Sequence, residues 1–243
     1  MILDPLRLKS SCPKTQKHCS MDKPLILSTK KLDPALRERI VHNGLAYMEY
    51  DAIHVSPVAF ELPAPTDYVI FSSKNAVKTV LKSAYAWANT QVLCVGKQSE
   101  ELLFKKGIKT IKTAKNMAEL VIFVEKIAKN ASFLHFCGNR RLAVLAEKMT
   151  AWKANFKEIV VYDTTLNVKK INAAPDAILF YSPSGVESHT NMNLIGKSSC
   201  FCIGETTAKS IPEQPKELVV LENPSIKTLV AKAIQLLKKH QHA

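Results

Sequence analysis

The stretch Ala177-Ile178-Leu179-Phe180-Tyr181-Ser182-Pro183-Ser184-Gly185-Val186 decides how this chain is read. Apolar and aromatic residues run unbroken to a Ser-Pro-Ser-Gly segment, and helix-compatible sequence follows. A continuous apolar run marks a strand buried on both faces, and a hydroxyl residue followed by proline marks a helix N-terminus. The stretch therefore predicts a parallel strand whose carboxyl end opens into a polar loop capping the next helix. A second version lies far upstream, at Tyr68-Val69-Ile70-Phe71-Ser72-Ser73-Lys74-Asn75-Ala76-Val77.

Each version is followed, at a similar distance, by a second loop. Val95-Gly96-Lys97-Gln98-Ser99 follows the upstream stretch, and Ile203-Gly204-Glu205-Thr206-Thr207 follows the downstream one. The unit strand, serine loop, helix, strand, Gly-x-x-hydroxyl loop thus occurs twice in one order. Two similar lobes imply a cleft between them, lined by these loops.

The rest of the chain keeps the same rhythm. A strand from Pro24 precedes an Asp33-Pro34 helix start, with Gly44 as its stop and a strand at Leu45–Tyr50. Helices are expected at about 75–87, from Gly96 to Lys106 with Gly107 as the stop, and at 117–129, 140–151 and 184–192. A last helix is capped by Ser225. Strands are expected at Gln91–Val95, Lys109–Lys112, Ser132–Phe136, Ser199–Ile203 and Leu218–Leu221. Such repeated strand–helix steps give parallel sheets covered by helices on both faces, with ligands at the carboxyl ends of the strands. Two segments break the rhythm. Ile53–Phe60 alternates in character and runs into Pro63 and Pro65, and Phe156–Thr164 is a long alternating strand that makes its natural ladder partner.

Length and composition bound the rest. A chain of 243 residues can build two units of about 100–120 residues, each with its own core. With 47% hydrophobic and 23% charged residues it is ordinary globular material. No apolar run approaches the roughly 20 residues of a membrane-spanning helix, and a soluble, cytoplasmic protein is expected. Residues 1–20 carry Arg7, Lys9, Lys14 and Lys17 without an apolar segment; they read as a disordered arm, or as sequence upstream of a true start at Met21. Six cysteines, Cys12, Cys19, Cys94, Cys137, Cys200 and Cys202, lack metal-ligand spacing and are expected as free thiols in a reducing compartment, with no metal site. The net charge of +13 points to an anionic partner, whether nucleic acid, lipid or a polyanionic small molecule. No nucleic-acid-binding motif accompanies it, and much of it lies on expected solvent faces.

Several residues could carry chemistry. A Gly-x-x-Thr loop at a helix start offers backbone N–H groups and a hydroxyl to carboxylate or phosphate oxygens, or simply caps the helix. GxGxxG and P-loop patterns are missing, and Ser182 and Ser184 lack the GxSxG elbow and a His/Asp set. His54, His135 and His189 are scattered and read as core or surface residues. Arg140 and Arg141, at an expected helix start after Cys137-Gly138-Asn139, either reach a cleft anion or face solvent. Tyr162 is either a proton donor on the ladder or a packing residue.

Taken in order, these pieces resemble the uroporphyrinogen-III synthase family. The resemblance rests on Leu25–Thr29 with Lys30, Val69-Ile70-Phe71-Ser72-Ser73, Val95-Gly96-x-x-Ser99 and Phe136-Cys137-Gly138-Asn139. It continues through Val161-Tyr162-Asp163-Thr164, Phe180-Tyr181-Ser182-Pro183-Ser184-Gly185 and Ile203-Gly204-x-Thr206-Thr207. Ser99 stands where the family usually has threonine, and Lys97-Gln98 departs from its common small residues.

The resemblance implies two flavodoxin-like α/β lobes with parallel sheets, joined by a two-stranded linker ladder. One lobe would comprise residues 21–54 and 166–243, the other 55–165. The implied reaction is cofactor-free cyclisation of hydroxymethylbilane, a substrate with eight carboxylates, with inversion of the last pyrrole ring and loss of water. Tyr162 would be the acid. Ser72, Ser73, Gly96, Ser99, Gly138, Asn139, Ser182, Ser184, Gly185, Thr206 and Thr207 would line the substrate site. A monomer is implied, with a passing contact to the enzyme that makes the bilane. A two-lobed binding protein for an anionic metabolite or tetrapyrrole is the alternative, and DNA binding driven by net charge a third.

Overall fold

The strands expected from the apolar runs divide between two sheets in the computed structural model, which describes residues 23–241. The first sheet contains β1 (Leu25–Ser28), β2 (Ala46–Glu49), β9 (Ala177–Phe180), β10 (Ser199–Cys202) and β11 (Glu217–Val220), in the order β11-β10-β9-β1-β2. All its pairings are parallel. The second contains β3 (Ile53–Pro57), β4 (Tyr68–Phe71), β5 (Gln91–Val95), β6 (Thr110–Ala114), β7 (Ser132–Gly138) and β8 (Asn155–Leu166). Its order is β3-β8-β7-β4-β5-β6. All of its pairings are parallel except β3 with β8.

Eight α-helices among the described residues cover the sheets: α1 (Pro34–His42), α2 (Lys74–Val80), α3 (Lys97–Phe104), α4 (Met117–Glu125), α5 (Val144–Ala151), α6 (Pro183–Thr190), α7 (Glu205–Ala208) and α8 (Ile226–Gln241). Alternation along each strand sorts the core by face, as period-two geometry requires. In the first sheet Ile26, Leu179 and Phe201 meet Leu36 and Ile40 of α1 and Leu229 and Ala233 of α8. Leu27, Ile178, Phe180, Cys200 and Cys202 pack on the other side with Val186 of α6. In the second sheet Val69, Phe71, Leu134 and Phe136 meet α2 and α3, and Ile70, Leu93 and Phe133 meet α4 and α5. Cys94, Cys137, Cys200 and Cys202 are buried free thiols; Cys12 and Cys19, with the expected N-terminal arm, lie outside the described residues.

The ladder has more support than a free-standing pair of strands. The first half of β8 runs parallel to β7, and its second half turns to pair antiparallel with β3. The linker is therefore the edge of the second sheet. Where the chain crosses between sheets, Asn167 donates its backbone N–H to the Ala52 carbonyl and its side-chain amide to the Asp51 carbonyl, pinning the two crossings together.

Several helices are shorter than the pattern suggests. α2 ends at Val80 because Ser83 bonds back to Val80 through both its N–H and its hydroxyl. Tyr85 then turns in to stack edge-on against Trp87 and Phe136. The expected helix 117–129 is α4 followed by a separate 3-10 turn at Ala128–Asn130. The expected helix 140–151 begins only at Val144, because Asn139 and Arg141 are tied to β8.

Candidate functional site

Strand order places the site. In the first sheet the chain leaves β1 for β2 on one side and returns to β9 on the other; in the second it leaves β4 for β5 and returns to β7. Loops diverge at such reversals and open a crevice at the carboxyl ends of the strands. Both reversals are bridged by a serine. At the first, Ser28 Oγ lies 3.0 Å from the Tyr181 hydroxyl. At the second, Ser72 Oγ lies 2.8 Å from His135 Nε2. The two serine stretches singled out in the sequence thus end at the two places where this fold opens a crevice.

The capping chemistry is local. Ser182 accepts the Gly185 N–H at 3.1 Å at the start of α6, and Ser73 accepts the Asn75 N–H at 3.1 Å at the start of α2. Thr29 donates its hydroxyl to the Leu179 carbonyl at 2.7 Å, and a methyl on Gly185 would sit between Thr29 and Ser182. Burial raises the pKa of the Tyr181 phenol, against a hydrogen bond with Ser28.

Tyr162 lies flat against Gly138. A methyl group on Gly138 would collide with Tyr162 Cζ and stand 2.5 Å from Cε2, so only glycine leaves room for the ring. A bulge in the β7–β8 pairing after Cys137 sets Gly138 opposite Tyr162. Asn139 locks this geometry. Its backbone N–H donates to the Tyr162 carbonyl at 3.2 Å, and its Oδ1 accepts the Thr164 N–H at 2.9 Å. Burial raises the Tyr162 pKa, partly countered by the Ser73 hydroxyl, so the phenol keeps its proton and remains a donor.

The remaining expected residues separate. Gly96, with φ at +83°, turns β5 into α3 in a conformation that side chains rarely adopt. Ser99 is only 3% exposed on α3, and Thr207 is equally buried beside exposed Thr206. Ser184 is half-buried on the first turn of α6. Ser72, Ser73, Gly138, Asn139 and Tyr162 therefore form one cluster, and Ser182, Ser184 and Gly185 form a second with Ser28 and Thr29.

Charge gathers at the same ends. Burial lowers the pKa of Lys74, after Ser73, and the charge of Lys30 from the first sheet's loop lowers it further. Two cations from different lobes thus sit within each other's field, an arrangement that an anion between them relieves. Arg140 pairs with Glu187 of α6, linking the loop after β7 to the other lobe. Arg141 turns instead onto Glu158 at 2.7 Å. Neither arginine lies at a helix start, contrary to the sequence expectation.

His135, read from the sequence as a core or surface residue, is a core residue, and Glu158 beside it was not singled out. His135 is 1% exposed, with Nδ1 2.9 Å from Glu158 Oε1 on the adjoining strand. The available signal was a histidine inside the apolar run Phe133-Leu134-His135-Phe136-Cys137, since buried polar groups require partners. Burial alone would raise the Glu158 pKa, but hydrogen bonds from His135 and Arg141 hold it at about 2. Cys137 shares this corner with His135 and Glu158. Burial and the Glu158 charge push its thiol up to about 11. Glu158 also pairs with the Arg141 guanidinium at 2.7 Å.

A family model described as "Uroporphyrinogen-III synthase HemD" matches residues 34–231. No curated protein sequence matches the chain. The fold is similar to uroporphyrinogen-III synthetase from Helicobacter pylori 26695, with 18% identity and a TM-score of 0.64 over 88% of this chain and 99% of that one. It is also similar to a mutant uroporphyrinogen III synthase from the extremely thermophilic bacterium Thermus thermophilus, with 11% identity and a TM-score of 0.67 over 89% and 99%.

Proposed function

This chain belongs to the uroporphyrinogen-III synthase family, and from that premise we propose how its cleft performs the reaction. It is an enzyme of tetrapyrrole synthesis, and its substrate is the linear polycarboxylate hydroxymethylbilane. The reaction closes the bilane with inversion of the last pyrrole ring and loss of water. We assign it to the lyases, because a C–O bond breaks without hydrolysis or electron transfer.

The observation that carries this reading is the seat of Tyr162 on Gly138, at the edge of the crevice after β4 and β7. A phenol kept protonated by burial can donate to the departing hydroxyl of the bilane, and departure of water leaves an azafulvene cation. Serine hydroxyls at 72, 73, 182 and 184 and the exposed Thr206 would hold acetate and propionate groups, while Gly96, Gly138, Asn139, Gly185 and Thr207, whose backbone is engaged within the protein, would shape the loops around them. Lys30 and Lys74 supply the positive field between the lobes. Buried Ser99 would shape the loop from behind. The cleft's main task is to hold the last ring so that the inverted closure outruns the direct one.

We take the lobe boundaries at 52/53 and 166/167, where the chain passes between sheets; the expected cuts at 54/55 and 165/166 fall inside β3 and β8, because Ile53, His54 and Leu166 already pair in the second sheet. Buried free thiols suit a reducing, cytoplasmic setting, and among the described residues no helix is long and apolar enough to cross a membrane. A monomer that receives its unstable substrate through brief contact with the bilane-forming enzyme fits this reading. The test supplies hydroxymethylbilane and separates the product isomers. The type III isomer should predominate; type I alone, at the uncatalysed rate, refutes the assignment.

A further inference from the structure

Gln98 has no part in the site described so far, yet it holds the one lysine that the second lobe's crevice loop carries next to Ser73. Lys74 Nζ donates to Gln98 Oε1 at 2.9 Å, joining the first residue of α2 to the first turn of α3. Those helices follow β4 and β5, parallel neighbours in the sheet, so the contact lies at the carboxyl ends of both strands. The backbone sets Gln98 there. Gly96 turns the chain with φ at +83°, and Ser99, only 3% exposed, donates its backbone N–H to the Gly96 carbonyl at 3.0 Å. With residue 99 fixed inward, Gln98 stands exposed beside Lys74.

The contact fixes the ammonium without neutralising it. An ammonium has three donors, and an amide oxygen accepts one of them while taking none of the charge. Among the described residues Lys74 makes no ion pair, and its only side-chain hydrogen bond is to Gln98. The cations on the neighbouring elements do not help it. Lys74 is half-buried, and burial first, then the charges of Lys30 and Lys78, work against its ammonium. A lysine kept for stability alone is better paired with a carboxylate or left in water. Two unspent donors on a partly desolvated cation instead suit an incoming anion. Tethering also matters, because a lysine already held by Gln98 surrenders less rotamer freedom when that anion binds.

We propose that Gln98 is a positioning residue that holds the Lys74 ammonium, still uncompensated, as the seat of one substrate carboxylate at the second lobe's crevice. This rests on the synthase reading for the identity of the ligand but not for the seat itself. Tyr162 packs against the cluster that contains Ala76 and Val77 of α2. The anchored carboxylate is therefore on the face of the sheet where the phenol sits. Gln98 acts through Lys74 and does not meet the reacting atoms.

The probe is uroporphyrin III, the stable oxidised octacarboxylate, titrated into the full chain at low salt and followed by porphyrin fluorescence. Gln98→Glu keeps the side chain's length but gives Lys74 an internal carboxylate. Its Kd should rise about fivefold, matching Lys74→Gln, because a paired ammonium is as lost to the ligand as a missing one. Gln98→Ala leaves the charge and removes the tether, and should cost about threefold. Lys97→Gln shifts the net charge equally at the adjacent exposed residue and should cost less than about twofold, which separates the contact from the general field. In a Lys74→Gln background, Gln98→Ala should be silent. With hydroxymethylbilane, Gln98→Glu should raise KM by its factor in Kd and change kcat by less than about twofold. A merely structural glutamine gives the opposite order, since Glu keeps a bond to Lys74 and Ala loses it. Gln98→Glu binding as tightly as wild type, Gln98→Ala costing the same in both backgrounds, or no porphyrin binding by wild type overturns the proposal. Turnover by the wild-type preparation is scored separately: absence of the type III isomer defeats the synthase reading, while the order of the Kd values still judges Gln98.

Discussion

Gly138→Ala is the sharpest perturbation of the Tyr162 seat. The new methyl would collide with Tyr162 Cζ, standing 2.5 Å from Cε2 and 2.8 Å from the hydroxyl oxygen. Ordinary carbon contacts lie near about 3.5 Å, so the ring must move by about 1 Å. Overpacking of that kind costs about 1–3 kcal/mol, and in a domain this size each kcal/mol lowers Tm by about 2–4 °C. A displacement of about 1 Å at a reacting group can cost on the order of a hundredfold in rate. Thermal unfolding and production of the type III isomer should therefore fall together, while uncatalysed type I closure continues as an internal control. A double-mutant cycle locates the cause. Tyr162→Ala removes the ring, so adding Gly138→Ala in that background should cost almost no stability. Wild-type kcat and Tm in Gly138→Ala, or an equal cost in both backgrounds, would refute the argument.

Tyr162→Phe removes the hydroxyl but leaves the ring on Gly138, so kcat should drop about 10–100-fold with Tm little changed; an unaltered rate returns Tyr162 to a packing role. Lys74→Gln should raise KM by about fivefold, the equivalent of a partly exposed ion pair worth about 1 kcal/mol, with kcat nearly constant. Raising the salt should shrink that difference, and a fall in kcat alone would count against a binding role. Buried His189, 3.1 Å from the Tyr50 hydroxyl, is pushed by burial down to about 4. The unfolded chain binds this proton near pH 6.5 and the folded one does not, so stability should be complete above that pH and fall by about 1 kcal/mol per unit towards pH 4. Denaturant unfolding of His189→Gln over that window should show a flatter profile; an unchanged slope assigns the acid sensitivity elsewhere.

The division between sequence and structure runs along the range of the forces involved. Apolar runs such as Val69–Phe71 and Ile178–Phe180, capping residues such as Asp33, Ser73 and Ser182, and the helix stops at Gly44 and Gly107 act within a few residues of themselves. Local composition was therefore enough to determine two repeated α/β units, their parallel sheets and the loops that would line a cleft. Helix ends were less legible, because Tyr85 and Asn139 leave their helices for partners far along the chain. The site's working geometry was decided only by tertiary structure. Strand order set Ser72 beside His135 and Ser28 beside Tyr181, and a bulge set Tyr162 over Gly138. The register of β7 against β8 set His135 opposite Glu158. Each of these pairs joins residues on different strands or directly after them, where spacing along the chain holds no record of which neighbour the sheet will supply.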